Sequence, residues 1–219
     1  STDDTVVEVV DAEVEVTEEE DGGEILAEAE DPIELEPIEA EIPSVMNLAV
    51  PFTSQAPHAN WALPYQEACE EASLLMATAF IAPDTIDLSS ADAADAEILA
   101  LVDLGERELG LDVDTTAEET QQMARAAFPN VSYRLLTDPT VDQLKRELAM
   151  GHPIILPAAG RELGNVNFSG AGPLYHMLVI RGYTEVYFVT NDPGTRNGEA
   201  YVYKQQVLMD AIGDWNNGD

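Results

Sequence analysis

The spacing of apolar residues changes period about two thirds of the way along the chain. From residue 67 to 150 they recur at helical intervals; beyond 151 they alternate or run in short blocks. The segment "EACEEASLLMATAFIA" puts Ala68, Ala72, Leu75 and Ala79 on one helical face, and Pro83 ends it. A second helix is predicted through "ADAADAEILALVDLGERELG", with Gly110 as its stop. Thr116 followed by Glu119 and Thr140 followed by Gln143 are capping-box patterns, opening "AEETQQMARAAF" and "VDQLKRELAM". Then come strands: 152–159 ("HPIILPAA"), 174–183 ("LYHMLVIRGY"), 186–192 ("VYFVTND") and 199–204 ("EAYVYK"), with "QQVLMDAIGDW" as a closing helix. Helices followed by strands give the α+β class rather than alternating βαβ units.

Residues 1–44 break this pattern. They hold 18 Asp or Glu, no Lys or Arg and no aromatic residue. So charged and so poor in large apolar groups, they are expected to stay solvated, as an acidic and disordered leader. The competing reading is an edge strand through "TVVEVVDAEVEV", which alternates with period two. The charge run and the lack of turn residues rank it second, and loss of residues 1–44 is then expected to leave the melting temperature nearly unchanged. Residues 45–219 suit one domain with its own core.

Charge and cysteine count narrow the function. The formal charge is −34, with 43 acidic against 9 basic residues, which repels phosphate backbones and argues against nucleic-acid binding. No apolar run reaches the length of a membrane span. One cysteine, Cys69, excludes an intrachain disulfide and any zinc site built on cysteine pairs. Phosphate-loop, dinucleotide and zinc-protease motifs are absent, so no cofactor or metal is expected. The acidic leader, without an initiator Met, favours an extracytoplasmic monomer acting on a peptide or protein.

Cys69 falls in the first turn of the first predicted helix, where backbone N–H groups favour a negative charge. Glu67, Glu70 and Glu71 oppose that by repulsion, so a thiolate needs a cationic partner. His176 is the candidate. If 174–183 and 186–192 form a hairpin centred near Thr184, His176 lies opposite Asp192 on one face of the sheet, and a carboxylate there would orient the imidazole. The Cys69 N–H and a side-chain amide could hold an oxyanion. Gln55 is the first choice for that amide and Gln66 the second. Trp61, Glu70, Asn167 and Tyr175 are expected at the cleft or its rim, and residues 160–173, rich in Gly and Asn, as a mobile edge to it.

The ordered pieces "VPFTSQAP…NW…YQEACEEASLLMA", "GHPIILPAAGRELGNVNF…GPLYHMLVIRGY" and "NDPGTRNGEAY" resemble stand-alone bacterial domains related to the bacteriocin-processing (double-glycine) peptidases, of the papain-like superfamily. The resemblance covers about residues 46–216. It implies a papain-like α+β fold, a helical half packed on an antiparallel sheet, and cysteine-dependent amide hydrolysis. It also implies Cys69 as nucleophile, His176 as base, Asp192 as third member and Gln55 as oxyanion amide. Transporter-linked members place the glutamine a few residues before the cysteine. Here it lies fourteen residues ahead, and Glu70-Glu71 follow the cysteine, so double-glycine specificity is not implied. Acyl transfer to an amine and a non-catalytic surface module with the same fold are the alternatives.

Overall fold

The computed structural model describes residues 5–12 and 42–214. A single antiparallel sheet carries the architecture. Its strands are β1 (Thr5–Ala12), β2 (Met46–Asn47), β3 (Val131–Thr137), β4 (Ile154–Ala159), β5 (Tyr175–Tyr183), β6 (Tyr187–Asn191) and β7 (Tyr201–Lys204). They lie in the order β3-β1-β4-β5-β6-β7, with β2 paired to the far end of β5. Five α-helices pack around it: α1 (Cys69–Ile81), α2 (Ala91–Asp103), α3 (Ala117–Ala127), α4 (Val141–Ala149) and α5 (Gln205–Ala211). The α+β class is therefore observed. Among the described residues no helix is long and apolar enough to cross a membrane.

The helix signals act where the sequence puts them. Thr116 and Thr140 cap α3 and α4 with complete capping boxes, each side chain accepting from the residue three further on. The predicted second helix is α2 continued by a π-helical turn, Leu104–Leu109. Gly110 then closes it in the left-handed region at φ 67°. α1 is buried on nearly every side, so it is the central helix and not an amphipathic one lying on the surface. The closing helix is shorter than predicted, because Ile212 leaves it to form a bridge with Ala158.

The N-terminal segment requires a correction. Residues 5–12 are not a solvated leader, nor an edge strand; β1 sits inside the sheet, between β3 and β4. Val6, Val7 and Val9 are fully buried. Glu8 is fully buried as well, and its partners come from distant parts of the chain. Arg134 on β3 donates two hydrogen bonds to Glu8 Oε2, at 2.8 and 2.6 Å, and His152 Nδ1 lies 2.6 Å from Oε1. Glu147 on α4 meets the same Arg134 and His152 at 3.0 and 3.1 Å. Burial pushes the Glu8 carboxyl up to about 7. The one of these charges whose surroundings are described, Glu8, is thus compensated across the sheet. The remainder of the expected leader that falls in 13–41 lies outside the described residues.

β3 was not foreseen. Its segment, "VSYRLLT", buries Val131 and Tyr133 and exposes Ser132 and Arg134, so the alternation was present but short. It pairs with β1 alone, and without β1 it would stand detached from the sheet.

Candidate active site

Cys69 is the first residue of α1, separated by Ala68 alone from a 3₁₀ turn at Tyr65–Glu67. As the first helical residue, its own N–H has no intrahelical acceptor and stays available for an incoming oxygen. The main chain of Met177, the β5 residue next to His176, favours the ionised form of the sulfur, though less than burial and Glu70 oppose it. Cys69 and His176 both line a cavity of about 830 Å3. The pair expected from sequence is therefore brought to one cleft, between a helix N-terminus and the sheet.

His176 Nε2 lies 2.7 Å from Asp192 Oδ1, with both side chains buried. The hairpin reaches this contact by a register other than the expected one. Val179 pairs with Asn191 and Ile180 with Thr190, so the register places Gly194, and not Asp192, across from His176; nearer the turn Gly182 pairs with Val189, one residue out of step, across a bulge at Arg181. Asp192 is the diagonal neighbour. A shift of two residues keeps side chains on the same face, whereas a shift of one would have separated them. Asp192 accepts three further hydrogen bonds: Gly194 N–H on Oδ1 at 3.0 Å, Asn165 Nδ2 on Oδ2 at 2.9 Å and the Tyr203 hydroxyl on Oδ2 at 2.6 Å. Burial opposes its ionisation, but His176, Tyr203 and Asn165 more than offset it and hold the carboxyl below its usual range.

Asn165 and Tyr203 were not singled out from sequence. Asn sits in a loop with several polar residues, and a strand tyrosine reads as packing. Only the fold brings both to Asp192. Asn165 also fixes the 160–173 segment, since its Oδ1 accepts from the backbone and side chain of Asn167. Phe168 of the same segment meets the His176 ring edge-on, with centroids 5.2 Å apart. The segment does rim the cavity, but it is tied to the His–Asp pair, which argues against a freely swinging lid.

Gly194 packs directly on the imidazole. A Cβ there would stand 2.8 Å from His176 Cε1, closer than real contacts allow, and 3.1 Å from Phe168 Cε1, a tight contact. Gly194→Ala is expected to push the ring off its carboxylate. A loss of stability of about 1–3 kcal/mol, the cost of overpacking, should follow and show as a lower urea midpoint. An unchanged urea midpoint would show that the space beside the ring tolerates a methyl group and that the glycine is not needed for ring placement.

Of the remaining expected residues, Trp61 (42 % exposed), Asn167 and Tyr175 line the cavity. Glu70 does not and is corrected here: it is 0 % exposed and points behind the sulfur, with Oε2 3.1 Å from Cys69 Sγ and Oε1 accepting from Thr115 N–H at 3.2 Å. Gln55 is corrected as oxyanion donor. It lines the cavity, yet its amide nitrogen donates to the carbonyls of Tyr65 and Gln66, both at 2.9 Å. Both amide hydrogens are engaged, and the buried Oε1 has no partner. Gln55 thus presents an acceptor while it fastens the turn ahead of Cys69. Gln66 is exposed and donates to Glu67.

The acidic flank has the expected electrostatic effect. Burial, then the charge and hydrogen bond of Glu70, push the Cys69 thiol well above its usual range. Burial and the neighbouring Glu71 push the Glu70 carboxyl well up in turn, and burial raises Glu71 to about 7. As isolated groups, Cys69 and Glu70 favour their neutral forms at pH 7, and Glu71 is balanced between its two forms.

A model of the Peptidase_C39 like family matches residues 47–217, more than half of the chain. No curated protein and no solved structure matches.

Proposed function

Because the chain belongs to the Peptidase_C39-like family, we propose that it is a cysteine peptidase working through Cys69, His176 and Asp192. The observation that carries this reading is the convergence of the Cys69 sulfur, at a helix N-terminus, and the Asp192-anchored His176 on one cavity. With Nε2 held by Asp192, the other ring nitrogen of His176 is the one left to exchange a proton with the thiol.

The Cys69 S–H proton passes to His176, and the thiolate attacks the carbonyl carbon of a peptide bond. Negative charge develops on that oxygen, and the Cys69 N–H donates to it. As the C–N bond breaks, the imidazolium returns the proton to the leaving amine, leaving a thioester on Cys69. Water then attacks the thioester with His176 as base, and the thiolate leaves. Asp192 keeps the imidazole in one tautomer and supports its cationic form. A cavity of about 830 Å3 accommodates several residues of an extended peptide. Its walls carry Glu67 and Asp114 as well as Arg161 and Arg196, which suits a chain with charges of both signs.

The raised thiol of Cys69 favours a second reading, a binding module that has kept the fold without the chemistry. Alkylation of the single cysteine separates the two. In the peptidase, iodoacetamide labelling followed by intact mass should reach a plateau below pH ~7, lost in His176→Ala. A rise only above pH ~8 in both proteins, as for an ordinary thiol, would leave the binding module.

A further inference from the structure

The proposed mechanism gives Glu70 no task, although its carboxyl touches the reacting sulfur. We infer that Glu70 is a further catalytic residue, an un-ionised acid whose O–H donates a hydrogen bond to the Cys69 sulfur and stabilises the thiolate from the side away from substrate. The inference rests on Cys69 being the nucleophile.

The two oxygens of Glu70 are differentiated in the way a neutral acid requires. Oε1 accepts from the Thr115 N–H at 3.2 Å, the part of a carbonyl oxygen, while Oε2 stands 3.1 Å from Sγ, the part of a hydroxyl. Thr115 is itself held in place, since the Tyr175 hydroxyl donates to its carbonyl at 2.7 Å. The groups facing Glu70 are Cys69 and Glu71 on α1, Thr115 ahead of α3, and Tyr175 on β5. None is a cation, and among the described residues neither Glu70 nor Glu71 joins an ion pair. A negative charge on Glu70 would therefore lie buried beside Glu71 without compensation.

The sign of the effect depends on one proton. An ionised Glu70 repels a thiolate and can only accept from the S–H. Protonated, it carries no charge and its hydrogen bond strengthens as the sulfur becomes negative. When the S–H proton moves to His176, Glu70 keeps its own, so no proton is created or lost. The bond weakens once the sulfur is in an uncharged thioester and strengthens again as the thiolate leaves. Glu70 thus favours the charged states over the acylated one.

The test is the pH dependence of Cys69 alkylation in the full chain, for wild type, Glu70→Gln and Glu70→Leu, each checked by its melting curve. Glu70→Gln keeps an acceptor for Thr115 and a donor for the sulfur, so its midpoint should stay close to wild type. Glu70→Leu removes the donor, and its midpoint should rise by about 1–2 pH units, the size of one hydrogen bond to a charged group. A lower midpoint in Glu70→Gln would mean that the wild-type residue is an anion and would overturn the inference, even if Glu70→Leu does not fold. An unchanged midpoint in a folded Glu70→Leu would overturn it too. These comparisons stand apart from the His176→Ala result: loss of the low-pH plateau there supports the peptidase whatever Glu70 does, and its absence removes the peptidase without deciding the state of Glu70.

Discussion

Deletion of residues 1–12 is expected to lower the melting temperature by more than about 10 °C, or to prevent folding. Val6, Val7 and Val9 are fully buried, and each such side chain is worth about 1.5–3 kcal/mol. The loss also opens two strand edges, uncovers the helices packed on β1 and leaves Arg134 and His152 without Glu8. Against a total stability of about 5–15 kcal/mol, and about 2–4 °C per kcal/mol for a chain of this size, the effect cannot be small. A soluble truncated protein with an unchanged melting curve would show that β1 contributes nothing to the fold. This reverses the expectation drawn from composition, under which the segment was dispensable.

The second large effect belongs to Asp192→Asn. Four donors converge on this carboxylate, from His176, Gly194, Asn165 and Tyr203. An amide can accept on one side only, so its NH2 must face donors that previously had an acceptor. The imidazole loses both its tautomer lock and the charge that supports its protonated form. By analogy with triads in which the carboxylate becomes an amide, kcat/KM on a cleavable peptide should fall by about three to four orders of magnitude. Breaking a buried ionic network adds a stability loss of about 3–5 kcal/mol, visible as a drop in urea midpoint. Activity within tenfold of wild type would mean that Asp192 is structural only.

Much of the fold was legible because local chemistry and tertiary structure agree. Thr116 and Thr140 cap helices in any context that lets them form, and Gly110 supplies the left-handed stop for the π-helical turn that continues α2. The His176–Asp192 contact survived an incorrect register because the error was even, and strand faces repeat every two residues. What could not be read depends on partners remote in sequence. Glu8 looks like one more solvated charge until Arg134 and His152 are seen around it. Asn165 and Tyr203 matter only because the fold lays them on Asp192. Gln55 had the right chemistry and the right neighbourhood, yet two backbone carbonyls claim its hydrogens first. Glu70 was placed at the rim by its position in the chain, whereas the helix turns it inward.

The position of β1 also governs the order in which the molecule can be completed. Thr5 pairs with Thr137 and Val7 with Ile155, so β1 finds its partners 132 and 148 residues further along the chain. Closing so long a loop is entropically slow. Until it closes, β3 and β4 expose unpaired edges on either side of an empty lane, the feature most prone to pair with another chain. The dense negative charge of the intervening segment keeps such half-built molecules apart by mutual repulsion. The acidic stretch that follows β1 thus bears on the same hazard as the strand itself: negative charge opposes pairing between copies while β3 and β4 lack the strand between them.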